Sequence, residues 1–193
     1  SVTLDMATVM PSVTPVCFAT MYTGAYPEVH GIRRYEKPVL TCDTIFDTMI
    51  RAGKKCAIVA TEGCSIAHIF LERDMDYYII PAEAEADEKA VVKGIELIES
   101  DAYDFIVIYN GMYDSVMHAT FPESEEAMEW LHHHTRAYER IYETTKRVSE
   151  SKGHRTLIGY ATDHGVHTNE SGRGAHGLEI PEDINIEHFY DIV

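Results

Sequence analysis

Apolar and polar positions alternate along residues 1–8, which is the period of a strand. The period changes over residues 42–53, where Ile45, Phe46, Met49 and Ile50 recur at helical spacing and the run stops at Gly53. From there the two periods take turns. Residues 55–61 read as a buried strand, 65–73 as a short helix, and 76–81 as a strand closed by Pro81. Residues 84–100 form an amphipathic helix with Val91, Val92, Ile95 and Ile98 on one face. Residues 103–111 are the most apolar strand, a continuous run of the kind covered on both sides. Residues 124–151 make a long helix capped by Ser124, and residues 155–163 are the last clear strand. Alternating strands and helices predict an α/β fold: a three-layer α/β/α sandwich around a mainly parallel sheet. At 193 residues, the whole of 1–193 is expected to be a single domain.

Composition changes this picture only at the edges. The chain is 45% hydrophobic and 25% charged, the balance of an ordinary globular domain. Its net charge of −16 argues against nucleic acid as a general partner, because a phosphate backbone would be repelled. An anionic substrate would need positive charge supplied locally, and bound cations do that. No apolar run reaches the ~18 residues of a membrane span, and no charged-then-apolar leader opens the chain, so no membrane partner is expected. Cys17, Cys42, Cys56 and Cys64 form no CxxC pair, a pattern that suits a reducing, cytoplasmic setting.

Open α/β sheets bind ligands beyond the carboxyl ends of their strands. The strand at 103–111 runs directly into Asp114 and His118, whose i, i+4 spacing puts both on one face of a helix. The strand at 155–163 runs directly into Asp163 and His164, and His176 returns from the glycine-punctuated stretch that follows. Carboxylates with imidazoles suit zinc ahead of manganese or iron, and five ligands exceed one tetrahedral site, which points to two metals. Upstream, Thr14 precedes Pro15 at the start of a helix over 15–24, and a hydroxyl there faces the helix's positive end. It is either a nucleophile activated by a neighbouring metal or a simple helix cap. His132, His133 and His134 are consecutive on the long helix, point in different directions and read as surface or partly buried positions.

The motif order is P-S-x-T around Thr14, then TG…P…HGI over residues 23–32, D-x-x-x-H at Asp114–His118, T-D-H-G at 162–165 and G-x-H-G at 174–177. In this order and context the chain resembles the alkaline phosphatase superfamily, and within it the type I phosphodiesterase/nucleotide pyrophosphatase family. The resemblance implies a small phosphoester substrate (a phosphodiester or nucleotide pyrophosphate), hydrolysed with Thr14 as nucleophile. It implies one zinc held by Asp114, His118 and His176 and a second by Asp163 and His164, with the Thr14 oxygen as a further ligand. Thr23, Gly24, Pro27, His30 and Gly31 match the family's structural turn. Two departures are visible. Members of the family begin with a buried strand ending in Asp-Gly; this sequence opens in the next strand, so the domain is expected to lack that strand, and Asp5 is a poor substitute for its aspartate. After HGI the family's asparagine is replaced, leaving Arg33, Arg34 or Tyr35, together with Arg173 near His176, as substrate-binding candidates. A phosphonate hydrolase or phosphomutase on the same scaffold, or a metal-binding domain without catalysis, are the competing readings.

Overall fold

The computed structural model describes residues 1–193. In chain order the elements are β1 (Val2–Ala7), α1 (Thr14–Thr23), α2 (Pro27–His30), α3 (Ile45–Arg51), β2 (Cys56–Thr61), α4 (Ile66–Ile69), β3 (Asp76–Ile80), α5 (Ala86–Ser100), β4 (Phe105–Ile108), α6 (Met112–Ala119), α7 (Glu125–Lys152), β5 (Leu157–Ala161), β6 (His167–Thr168), β7 (Gly174–Ala175), α8 (Pro181–Ile184) and β8 (Asn185–Ile192).

β2 has apolar side chains on both faces, and the fold covers both. It lies between β3 and β4 in a parallel sheet of order β3-β2-β4, with Ile58 opposite Tyr77 and Val107. Cys56, Ile58 and Ala60 pack against Val16, Phe18, Phe46, Ile66 and Phe70 from α1, α3 and the α4 turn. Ala57 and Val59 pack on the other side against Ala90 and Leu97 of α5. The helices therefore sandwich the parallel sheet, and the α/β class read from the sequence holds. On α5 the buried stripe is Asp87, Ala90, Val91, Gly94 and Leu97, while Val92 is exposed. Small residues decide that face: a Cβ on Gly94 would enter the side chain of Ile108 on β4.

The second sheet differs from expectation. β8 runs antiparallel between β1 and β5, in the order β1-β8-β5. This last strand was not predicted, because Asn185–Ile192 puts Ile186, His188 and Tyr190 on one face and Glu187, Phe189 and Asp191 on the other. Neither face carries a clean apolar signal. The parallel character is thus confined to one of the two three-stranded sheets.

β4 and β5 do not pair with each other. Between them opens a cavity of about 810 Å³, lined by both strands, by Leu131, Tyr138 and Ile141 of α7, and at one end by Thr14, Asp114, Asp163 and His164. β4, expected to be covered on both sides, is for this reason only half-buried. No helix is long and apolar enough to cross a membrane.

Candidate metal centre

The parallel half delivers Asp114 and His118 on α6, which three residues separate from β4. The antiparallel half delivers Asp163 and His164 just past β5, and His176 just past β7. Thr14 is the first residue of α1, whose N-cap is Val13 and receives no side-chain cap. The Thr14 hydroxyl is therefore free of a capping bond, and its Oγ1 lies 3.2 Å from Nε2 of His164. That same Nε2 is 3.3 Å from Oδ2 of Asp163. Oδ1 of Asp114 lies 3.6 Å from Nε2 of His118 and 3.6 Å from Nε2 of His176. The two sets meet where the His164 and His176 rings stack, with centroids 3.8 Å apart. Ligand atoms of Asp114, His164 and His176 all lie within 4.8 Å of one another.

Each imidazole has its other nitrogen committed. Nδ1 of His118 donates to the Gly174 carbonyl at 3.0 Å, that of His164 to the Gly165 carbonyl at 3.1 Å, and that of His176 to the Ser12 carbonyl at 2.9 Å. A neutral ring with Nδ1–H occupied leaves the Nε2 lone pair as the ligand, the arrangement that orients metal-binding histidines. Oδ1 of Asp114 is buried and has no hydrogen-bond partner. A buried carboxylate oxygen facing the Nε2 atoms of His118 and His176, with His164 in the same cluster, is costly alone and is satisfied by a cation, so this donor set fits a divalent metal with nitrogen and oxygen ligands. The protonation preferences follow the same crowding. Burial, with the neighbouring His164 adding to it, pushes the His176 imidazole below its ordinary range despite the Ser12 carbonyl and Asp114. Burial, opposed by His164 and reinforced by Asp114, pushes the Asp163 carboxyl up.

Several residues that hold these segments escaped the sequence reading. Ser12, fully buried, accepts at Oγ from the Gly177 N–H at 3.1 Å and so joins the Thr14 loop to the His176 loop on two bonds. Gly174 lies so close to α6 that a Cβ there would collide with the Met117 carbonyl. Asp183, also fully buried, takes the His167 ring at 2.7 Å and the Leu178 N–H at 2.8 Å, while its carbonyl accepts from Gly165 N–H at 2.9 Å. His134, read as a surface or partly buried position, is buried and 2.8 Å from Asp87, whereas His132 is exposed.

Other sequence candidates stand elsewhere. Arg33, Arg34 and Tyr35 are exposed beyond α2; Arg33 bonds the Glu28 carbonyl, Arg34 bonds Glu36, and Tyr35 lies under Lys37. None of them lines the cavity. The reason is local: Gly31 ends α2 in the left-handed region (φ +88°) and turns the chain outward. Arg173 sits exposed at the β6–β7 loop with its backbone bonded to Asn169. Asp5 is exposed on β1, opposite Glu187. The turn at 20–32 is structural: buried His30 bonds Thr20 through Nε2 at 3.0 Å and accepts the Ile32 N–H at Nδ1.

The profile of the family described as type I phosphodiesterase / nucleotide pyrophosphatase matches residues 1–183. The chain belongs to this family. Among solved structures, this phosphodiesterase-family chain is similar to murine ectonucleotide pyrophosphatase / phosphodiesterase 5. The TM-score is 0.66 at 19% identity, over 86% of this chain and 50% of that one. It is also similar to phosphonoacetate hydrolase from Sinorhizobium meliloti 1021 in complex with phosphonoformate. There the TM-score is 0.56 at 18% identity, over 86% of this chain and 48% of that one. The chain spans about half the length of these structures, and at such identities the likeness shows the fold. A search of curated protein sequences gives no significant match.

Proposed function

We propose that this chain carries the metal-dependent centre of a phosphoester hydrolase, with Thr14 as nucleophile and zinc as the metal. The observation that carries the reading is the cluster of Asp114, His164 and His176 drawn from both halves of the fold, with His118 beside the unpartnered Asp114 oxygen and the Thr14 hydroxyl beside His164. Asp114, His118 and His176 would hold one zinc, and Asp163 and His164, with Thr14, a second. Bound there, the cations would supply positive charge to the phosphoryl oxygens in a strongly acidic protein and lower the pKa of the Thr14 hydroxyl. Thr14 Oγ1 forms a bond to phosphorus as the ester bond to the leaving oxygen breaks. The hydroxyl proton goes to solvent, and the leaving oxygen departs on the opposite side and is protonated. Water then cleaves the phosphothreonine, releasing the phosphate product and restoring the hydroxyl. Small phosphodiesters and nucleotide pyrophosphates are the substrate class. The likeness to phosphonoacetate hydrolase supports a second reading, in which the bond broken is carbon–phosphorus.

We also read residues 1–193 as one domain whose β4–β5 opening accepts one further strand. Each flanking strand is paired on one side only, and the walls are mostly apolar. The family resemblance places an aspartate at the end of such a strand, beside Asp163 and His164. The four free cysteines support a reducing, cytoplasmic location.

The test is a zinc-reconstituted sample assayed on bis-p-nitrophenyl phosphate and on phosphonoacetate. Thr14→Ala should keep metal at the Asp114 set while diester hydrolysis falls by about two or more orders of magnitude. Thr14→Ser should keep part of it. Wild-type turnover in folded, metal-loaded Thr14→Ala would remove the mechanism, and turnover of phosphonoacetate alone would favour the second reading.

A further inference from the structure

α6 carries two of the five candidate ligands, yet nothing in its own sequence secures its start. It is only eight residues long, and its N-cap, Gly111, has no side chain with which to cap the free amides. The cap comes from another helix. Asp87, in the first turn of α5, accepts the Gly111 N–H at Oδ1 (3.1 Å) and the Met112 N–H at Oδ2 (2.9 Å). Its backbone carbonyl also takes the side-chain amide of Asn110 at 3.1 Å. From a third helix, α7, Nε2–H of His134 donates to Oδ2 at 2.8 Å. Asp87 is 1% exposed and His134 8%. A carboxylate buried so deeply is tolerated only when its oxygens are fully bonded, and here three donors meet it. Burial alone would raise its pKa, but the bonds from His134, Met112 and Gly111 outweigh that and hold it below the usual carboxylate range.

We propose that Asp87, held in place by His134, is a positioning residue for the metal centre: it fixes the start of α6 and thereby the places of Asp114 and His118. The proposal rests on the metal-centre reading above. Its force comes from Asp114. Oδ1 of that residue has no hydrogen bond of its own, so its position is set by the helix that carries it. Met112, whose N–H Asp87 binds, is two residues away on the same turn. Misplacing a ligand by about 1 Å is enough to weaken a metal site or slow its chemistry strongly. A pair that merely stapled α5 to α7 would need only the His134 bond. Asp87 spends both oxygens on the α6 amides, which a staple does not require.

Zinc affinity by chelator competition, the melting temperature of the metal-free protein and the visible spectrum of the cobalt(II)-loaded protein together separate the two roles. Asp87→Asn should weaken zinc binding about 10- to 100-fold and alter the cobalt spectrum, the range seen for groups that orient metal ligands. His134→Ala should weaken it by about tenfold, and His134→Gln, which can still donate to Asp87, should recover most of the loss. Leu97→Ala on the buried face of α5 should lower the melting temperature while leaving zinc affinity near wild type. If Asp87→Asn does not fold, the contrast between His134→Ala and His134→Gln decides. Wild-type zinc affinity and cobalt spectrum in the folded Asp87 and His134 variants, or an equal loss in Leu97→Ala, would overturn the positioning role alone. A wild-type chain that binds no zinc would overturn the metal-centre reading and this proposal with it.

Discussion

β1 and β2 are both six-residue strands, and they sit in opposite circumstances. Five of the six residues of β2 are buried, with helices against both faces. All six residues of β1 are exposed, and the strand pairs only with β8. The same contrast separates the halves to which they belong. The parallel half has a core built on Phe46, Phe70 and Ile58, with Tyr22, Phe46 and Phe70 in ring contact at 5.0–5.2 Å. The antiparallel half relies largely on polar bonds: within it, Thr8 Oγ1 to the Asp163 carbonyl and Asp183 to the loop between His164 and Leu178, and at the seam Ser12 to His176 and Gly177. The apolar core is concentrated in one half, while the candidate ligands are divided between both. A centre built this way needs each half to hold the other in register.

The largest expected difference is in core truncation. Phe46→Ala empties a fully buried site at the ring cluster and should cost about 3–5 kcal/mol, whereas Leu4→Ala on exposed β1 should stay within about 0.5 kcal/mol. Urea unfolding midpoints measure both; equal losses would mean that the antiparallel half has a core of its own. A seam substitution should fall between. Ser12→Ala leaves the Gly177 N–H without its acceptor and should cost about 1–3 kcal/mol, with faster proteolysis in the 165–178 loop ahead of α1. Cleavage beginning in the parallel half would reverse the order of stabilities. The smallest effect is a pH dependence inside the stable half. Burial would raise Asp47, but bonds from Thr44 and from the buried Arg73 guanidinium outweigh it and hold the carboxyl below its ordinary range. Its folded value therefore lies below its unfolded one. The stability it contributes is complete above about pH 4 and is lost as pH falls through the folded value. Asp47→Asn should lower stability near neutrality, where this contribution is complete, and leave it little changed below the folded value, so the acid side of the curve flattens.

Legibility in the sequence followed the same division. β2 was readable as an unbroken apolar run, α3 and α5 from apolar positions at helical spacing, and α7 as a long helix opened by the Ser124 cap. β8 was not, because both of its faces mix charged with apolar residues. On α5 the apolar count favoured Val92 and Ile98, but close approach of Ile108 makes the stripe of Gly94 and Ala90 the inner one. The ligand candidates were readable from strand ends and i, i+4 spacing. What turns their imidazoles is backbone carbonyls of Ser12, Gly165 and Gly174, which carry no residue-type signal. Asp87 and His134 are 47 residues apart, and only the packing of α5 on α7 brings them together.

The central claim, that one cation centre joins the two halves, is tested most directly by hydrogen exchange of the chain with and without zinc. Asp114 and His118 ride on α6, and His164 and His176 come from the antiparallel half, so zinc should slow amide exchange in α6 and in residues 163–178 together, at the same zinc concentration. Protection confined to one of these segments, or unchanged exchange in both at saturating zinc, would contradict it.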